Sequence, residues 1–250
     1  MRITESFNGN WIFSHGFDAG KVASLQAGET VRLPHSAIEL PYNYFDETEY
    51  QKPFTYQKRF DWRPDFEGRE VSLVFDAAMA DSVVYLNGEK IIAHKDGYTP
   101  FEARLTPHLK HGENLLTVKI DGSENPEIPP FGGQIDYLCY AGIYRDVWLK
   151  VTSPISIANV KIETPDALAE KKTVTARVFL ANPRSLAITG TLAAKIRKPG
   201  GGDVGSATVS VEGNEAFLTF SDLTGIDLWD IDNPALYALS LKLDTEHGDD

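Results

Sequence analysis

The run Asp136-Tyr-Leu-Cys-Tyr-Ala-Gly-Ile-Tyr-Arg-Asp-Val-Trp-Leu149 holds most of the chemistry this chain can offer, because a polar, aromatic segment leads straight into a half-buried strand. Val147, Leu149 and Val151 alternate with Trp148, Lys150 and Thr152, the period-two pattern of a strand with one face in a core. Asp136, Tyr137, Tyr140, Tyr144 and Arg145 precede that strand, so a ligand would be held there. An ionised carboxylate such as Asp136 accepts hydrogen bonds from two hydroxyls at once, and bonds of this charge-assisted kind are the stronger class.

Other chemistries have fewer residues behind them. His35 and His94 lack the spaced carboxylate or second histidine that a zinc site needs, and both read as structural. The single cysteine, Cys139, cannot form an internal disulfide and has no neighbouring His or Lys to lower its pKa, so it is expected to be packed rather than nucleophilic. A Ser-His-Asp hydrolase is excluded by the lack of a Gly-x-Ser-x-Gly elbow. Gly-rich phosphate cradles need a helix after them; Lys198-Pro-Gly-Gly-Gly-Asp203 is followed by a strand pattern and reads as a hairpin tip. Arg145-Asp146, at the entry to a strand, reads as a structural ion pair or an anchor for a domain interface.

The elements that must position these groups are strands. Residues 52–62, 71–75, 82–86, 89–93 and 114–120 are short apolar runs broken by turns, without helical periodicity. Asn87-Gly88, between two β-branched runs, predicts a type I′ hairpin, which needs positive φ at both central residues. Val71, Leu73 and Phe75 should face one way, as should Leu116, Val118 and Ile120, giving the inner faces of two stacked antiparallel sheets. After Ser153-Pro154 the pattern restarts, and residues 155–163, 173–180, 188–196, 207–211, 216–220 and 236–243 suit a smaller sandwich of immunoglobulin-like type.

A chain of 250 residues with 42% hydrophobic content can bury roughly 70–75% of its unfolded surface, usually in more than one core, so two domains are expected. The net charge of −12, with no Lys/Arg cluster to override it, would repel phosphate backbones and anionic lipid. Neither nucleic acid nor a membrane is an expected partner. With no apolar run of about 18 residues, and with Met1-Arg-Ile-Thr-Glu-Ser lacking the apolar core of a signal peptide, the expected location is cytoplasmic.

Six ordered motifs carry a resemblance: Trp11; Leu33-Pro34-His35; Val83-Val-Tyr-Leu-Asn-Gly88; His94-Lys-Asp-Gly-Tyr-Thr-Pro-Phe-Glu102; Gly112-Glu-Asn-Leu-Leu-Thr-Val118; and Gly142-Ile-Tyr-Arg-Asp-Val-Trp-Leu149. Leu228-Trp229 through Pro234-Ala-Leu-Tyr237 adds a seventh further on. Over nearly all its length the chain resembles the N-terminal half of glycoside hydrolase family two, the family of β-galactosidases, β-glucuronidases and β-mannosidases. The resemblance implies an all-β protein: a jelly-roll, galactose-binding-like sandwich over 1–153, then an immunoglobulin-like sandwich over 154–250 without its last strand. A missing closing strand would leave unpaired backbone groups on its neighbour.

In that family a catalytic barrel follows, and a barrel alone needs roughly 250 residues, so this chain has no room for one. The two glutamates of the retaining mechanism, about 5 to 5.5 Å apart, would lie on that barrel, and no catalytic residue is assigned here. The resemblance therefore implies a non-catalytic fragment of a β-galactosidase-like enzyme whose partners are a β-glycoside and the C-terminal barrel of the same polypeptide. Asp136, nine residues before Arg145, stands at the offset where the family's first domain lends a carboxylate to the sugar. In galactosidase-like relatives that carboxylate also helps hold a sodium ion; no other cofactor is implied.

Tyr137 is a candidate for stacking on the sugar's apolar face, and Asn43 and Asp46, in a loop whose counterpart reaches the sugar in some relatives, are further substrate-binding candidates. The sugar stays open, a β-glucuronidase or β-mannosidase being the alternatives within the family. A free-standing carbohydrate-binding module and a ligand-free scaffold are the alternatives outside it. Oligomeric state is not legible, although large relatives commonly assemble through their sandwich domains, which keeps a homo-oligomer open.

Overall fold

Short alternating runs closed by Pro, Gly and Asn cannot satisfy their backbone groups as helices of useful length, and they pair instead as strands. The computed structural model describes residues 2–39, 41–44, 46–129, 131 and 138–250. These divide into two compact units, residues 3–151 and residues 152–250 together with Arg2. Among the described residues no helix is long and apolar enough to cross a membrane.

The first unit contains β1 (Ile3–Ser6), β2 (Trp11–His15), β3 (Glu29–Val31), β4 (Pro53–Asp61), β5 (Glu70–Phe75), β6 (Asp81–Leu86), β7 (Glu89–Lys95), β8 (Phe101–Arg104), β9 (Glu113–Asp121) and β10 (Val147–Thr152). They form a six-stranded sheet of order β3-β2-β4-β9-β6-β7 and a four-stranded sheet of order β1-β10-β5-β8. This is the jelly-roll sandwich. Val71, Leu73 and Phe75 on β5 and Leu116, Val118 and Ile120 on β9 are all fully buried, and they belong to opposite sheets, as the alternation predicts. Phe54 opposite Ile120 and Tyr56 opposite Val118 carry the same core across to β4. Each such side chain contributes about 1.5–3 kcal/mol on leaving water. Asn87 and Gly88 have φ of 55° and 90° and join β6 to β7.

The second unit contains β11 (Ser156–Glu163), β12 (Lys172–Ala181), β13 (Gly190–Arg197), β14 (Asp203–Val211), β15 (Glu215–Leu223), β16 (Ala238–Thr245) and β17 (Gly248–Asp249). A sheet β11-β12-β15 faces a sheet β14-β13-β16-β17, the immunoglobulin-like arrangement. Val178, Leu192, Leu218, Phe220 and Leu243 fill the space between. Gly200, Gly201 and Gly202 all have positive φ at the β13–β14 tip, and the Lys198 N–H donates to the Gly202 carbonyl at 3.1 Å, so this glycine run closes a hairpin. The Asp250 carboxylate, 2% exposed, receives Arg2 Nη2 at 2.6 Å and the Ile157 N–H at 2.8 Å.

Five strands lie outside the sequence expectations: β1, β2, β3, β8 and β17. β8 and β17 have four and two residues, too few for an alternation to stand out. β2 does alternate, with Trp11 and Phe13 inward, and it pairs with β4 from Ile12–Gln57 to His15–Phe54.

Candidate functional site

The segment leading into β10 is held on both sides by backbone. Gly142 exchanges hydrogen bonds with Met79, 2.9 Å one way and 3.2 Å the other, while the Ala37 N–H donates to Ala141 O at 2.7 Å and the His35 N–H to Ile143 O at 2.8 Å. Only glycine fits at 142: its φ is +134°, and a Cβ there would lie 2.5 Å from His35 O and 3.0 Å from the Tyr56 hydroxyl. Gly122 is similar, since its Cβ would meet Tyr50 O at 2.3 Å and Ala141 Cβ at 2.5 Å.

Asn8 fixes the entry to the strand. Its Oδ1 accepts the Val147 N–H at 2.8 Å and its Nδ2 donates to Asp146 Oδ1 at 2.6 Å. Arg145 and Asp146 are therefore not the ion pair that their adjacency suggests. The Arg145 guanidinium, in the bend before β10, lies 5.5 Å over the Tyr144 ring instead.

The aromatic groups divide between packing and surface. The Tyr144 hydroxyl donates to Gly97 O at 2.5 Å, and burial raises its pKa. Tyr140 is 41% exposed, and its ring stands 5.9 Å from Tyr50, whose hydroxyl is pushed up to about 12 by burial and then by Glu47. Cys139 is half-buried, with the Tyr98 hydroxyl 3.9 Å from Sγ; burial raises the thiol pKa, so a reactive thiolate is disfavoured. His35 Nδ1 lies 2.9 Å from the Tyr56 hydroxyl, and burial lowers its pKa against the opposing pull of Glu29 and Glu39. His94 stacks on Phe101 at 4.5 Å. Both histidines occupy packing positions, and no group of three or more His, Cys, Asp or Glu suited to a metal occurs among the described residues.

Asp136 and Tyr137, the leading candidates for the sugar, lie outside the described residues. Asn43 is exposed, between the fully exposed rings of Tyr42 and Tyr44. Asp46 caps the short 3-10 turn Glu47–Glu49, its Oδ1 accepting the Thr48 hydroxyl at 2.6 Å and the Thr48 N–H at 2.9 Å. Those two bonds, the hydroxyl first, lower its pKa. Asp46 is thus already an acceptor for its own loop.

Sequence reasoning missed the acidic character of these surroundings. Gln51 Nε2 donates to Glu124 at 3.4 Å, Glu47 and Glu124 both act on Cys139, and Asp96 acts on Tyr144. Of the nearby cations, Lys52 meets Glu49 at 3.3 Å and Lys95 meets Glu127 at 3.9 Å, while Arg145 over the Tyr144 ring opposes the acids there. The net charge of −12 was a signal of this, but nothing in it said where the acids gather.

Residues 4–154 match the family model for the sugar-binding domain of glycosyl hydrolases family 2, and residues 155–249 match a second model of glycosyl hydrolases family 2. The chain belongs to glycosyl hydrolase family 2. Among family 2 relatives, a β-galactosidase of Rhizobium meliloti is 47% identical over 99% of this chain and 33% of its own length. A β-galactosidase of Thermoanaerobacterium thermosulfurigenes is 37% identical over 97% of this chain and 35% of its own. The crystal structure of a putative β-galactosidase from Bacteroides fragilis superposes with a TM-score of 0.84 at 28% identity, covering 97% of this chain and 38% of that one. The chain thus spans about a third of the length of these relatives.

Proposed function

We propose that the chain is the N-terminal, non-catalytic portion of a β-galactosidase-like glycoside hydrolase, shaping the sugar site of a catalytic barrel supplied by the rest of the polypeptide. The observation that carries this is the 47% identity to a β-galactosidase, sustained over 99% of this chain but only 33% of the relative. In this reading the parent is a retaining enzyme whose acid/base and nucleophile glutamates, about 5 to 5.5 Å apart, both lie on the barrel. Asp136 lends a carboxylate to two sugar hydroxyls, Tyr137 offers a ring face, and Asn43 and Asp46 line the approach. A sodium ion would take Asp136 as one ligand and lend fixed positive charge beside the sugar, its other ligands coming from elsewhere.

In this reading the acids Glu47 and Glu124 near Cys139 and Asp96 near Tyr144, opposed there by Arg145, favour a neutral galactoside over an anionic glucuronide, because like charges beside the sugar cost binding energy and slow encounter. The glucuronidase reading has its own support in a putative β-glucuronidase of Formosa agariphila, 28% identical over 99% of this chain.

The test is turnover of chromogenic β-galactoside and β-glucuronide by this chain and by the full-length polypeptide. The full-length protein should cleave the galactoside in preference, and the 250-residue chain should match a no-protein blank. Hydrolysis by the isolated chain would place the catalytic carboxylates within these 250 residues. Calorimetry separates the free-standing module: millimolar or tighter binding of galactose by the isolated chain, lost in Asp136→Ala, would favour it.

A further inference from the structure

One inward position of β4 is filled by a cation. Phe54 and Tyr56 belong to the core of the first unit and Phe60 packs against it, and the alternation of the strand puts Lys58 on the same side. Lys58 is half-buried, and burial lowers its pKa. Among the described residues no carboxylate answers it. Its ammonium donates instead to the carbonyls of Gly9 and, at 3.4 Å, of Phe7. It also stands 4.3 Å over the Phe7 ring and 5.9 Å from the ring of Trp11.

Stability alone does not call for this arrangement. A cation drawn out of water without a counter-ion is costly, and a well-packed apolar side chain of similar volume often stabilises such a position as well or better. The ring contacts and the charge-assisted bonds to carbonyls offset part of that cost. What they fix is the turn formed by residues 7–10, in which Asn10 has a φ of 57°. The Trp11 indole N–H donates to the same Phe7 carbonyl at 2.9 Å, so that oxygen is held from two sides.

The turn is the junction from which the entry to β10 is held. Phe7 N–H donates to Val147 O at 2.8 Å, the Asn8 side chain accepts the Val147 N–H and donates to Asp146, and Leu33 N–H donates to Asn8 O at 2.9 Å. That last bond ties the turn to residues 33–37, whose His35 and Ala37 bond Ile143 and Ala141. Both supports of residues 141–147 on this side therefore run through Asn8 and its neighbours, and the ammonium of Lys58 pins those neighbours.

We infer that Lys58 is a positioning residue for the sugar site: its ammonium fixes the turn of residues 7–10, and Asn8, carried by that turn, fixes the segment that leads into β10. The inference rests on the reading of the chain as part of a β-galactosidase-like enzyme and adds to it a residue that touches no sugar.

The test compares the full-length polypeptide with its Lys58→Met variant, which keeps an unbranched side chain and removes the charge. KM for a chromogenic β-galactoside should rise roughly tenfold while kcat stays within about twofold, because a displaced binding segment leaves the barrel glutamates untouched. A loss confined to kcat would report only less folded enzyme, and it overturns the inference. Asn8→Ala should raise KM in the same way, and the double variant should be no worse than the worse single variant, since both changes act through one turn; additive effects overturn it. Should Lys58→Met fail to fold, Lys58→Gln, neutral but still able to donate an N–H, takes its place with the same expected split. Hydrogen exchange in the 250-residue chain reads the turn without reference to activity. The Phe7 and Val147 amides should exchange about tenfold faster in the variant, with β5 and β9 unchanged, and equal exchange at those two amides overturns the inference. A full-length protein that cleaves the galactoside with an unchanged KM in the variant loses only this inference. One that is inactive, while the variant chain shows the faster exchange, loses the glycosidase reading and keeps the hold of Lys58 on the turn.

Discussion

Burial beside Phe13 and Tyr56 holds the His35 imidazole below its ordinary pKa of 6.5. The unfolded chain therefore takes up the proton first, and the contribution of His35 to stability is full above about pH 6.5 and is lost as the pH falls through the folded value. Urea midpoints measured from pH 7.5 to 5 should decline, and His35→Gln should flatten that decline; an identical slope in the variant would assign it to other groups. Gly142→Ala should cost about 1–3 kcal/mol from the strained φ alone, with the 2.5 Å approach to His35 O adding to it. In the full-length protein it should also raise KM for the galactoside by displacing the segment that leads from residue 138 into β10. A neutral Gly142→Ala in urea denaturation would mean that this close approach does not hold the segment. Some of these roles were legible at the level of single residues. Asp46-Glu-Thr48 is a sequence signature of a carboxylate capping the N–H two residues on, yet among tyrosines it reads first as a hydroxyl ligand. Arg145-Asp146 reads as a pair only until Asn8, far away in sequence, takes the aspartate and the guanidinium lies over the Tyr144 ring.

Strands were legible where turn chemistry and alternation agreed. Asn87-Gly88 tolerates positive φ twice, and β6 and β7 pair around it from Leu86–Glu89 to Asp81–Lys95. Gly88→Val should cost about 1–3 kcal/mol, because its Cβ would also come within 2.9 Å of Ala23 Cβ; hydrogen exchange along β6 and β7 should rise accordingly, and unchanged protection there would count against the turn. Asn114 is the counterpart in the neighbouring strand. Fully buried, it accepts from Lys110 N–H at 2.9 Å and from Asn87 Nδ2 at 2.9 Å, and it donates to Lys110 O at 2.8 Å. Asn114→Ala should lose about 1–3 kcal/mol by leaving those groups unpaired, a loss that an equilibrium denaturation curve would read directly. The strands that escaped notice are short or peripheral. Among the described residues β1 pairs with β10 alone, and its four residues alternate without one large apolar anchor beyond Ile3.

For the molecule as a whole, two sandwich patterns could be read from periodicity because each strand carries its own inward row; the acidic surroundings of the segment before β10 could not, since they arise from loops that meet only after folding. Their field is long-ranged but screened beyond about 8 Å at physiological salt. In the full-length protein, kcat/KM for a chromogenic glucuronide should therefore rise roughly twofold or more, relative to the galactoside, between low salt and about 0.3 M, and a constant ratio would argue that the acids do not face the substrate. A different use follows from the glycine tip between β13 and β14. A Cβ on Gly200 or Gly201 would meet nothing within 4 Å, and lengthening such a loop is inexpensive because closure entropy grows only with the logarithm of its length. An epitope, a fluorophore or a surface tether spliced into that tip would ride on the second sandwich without entering its core.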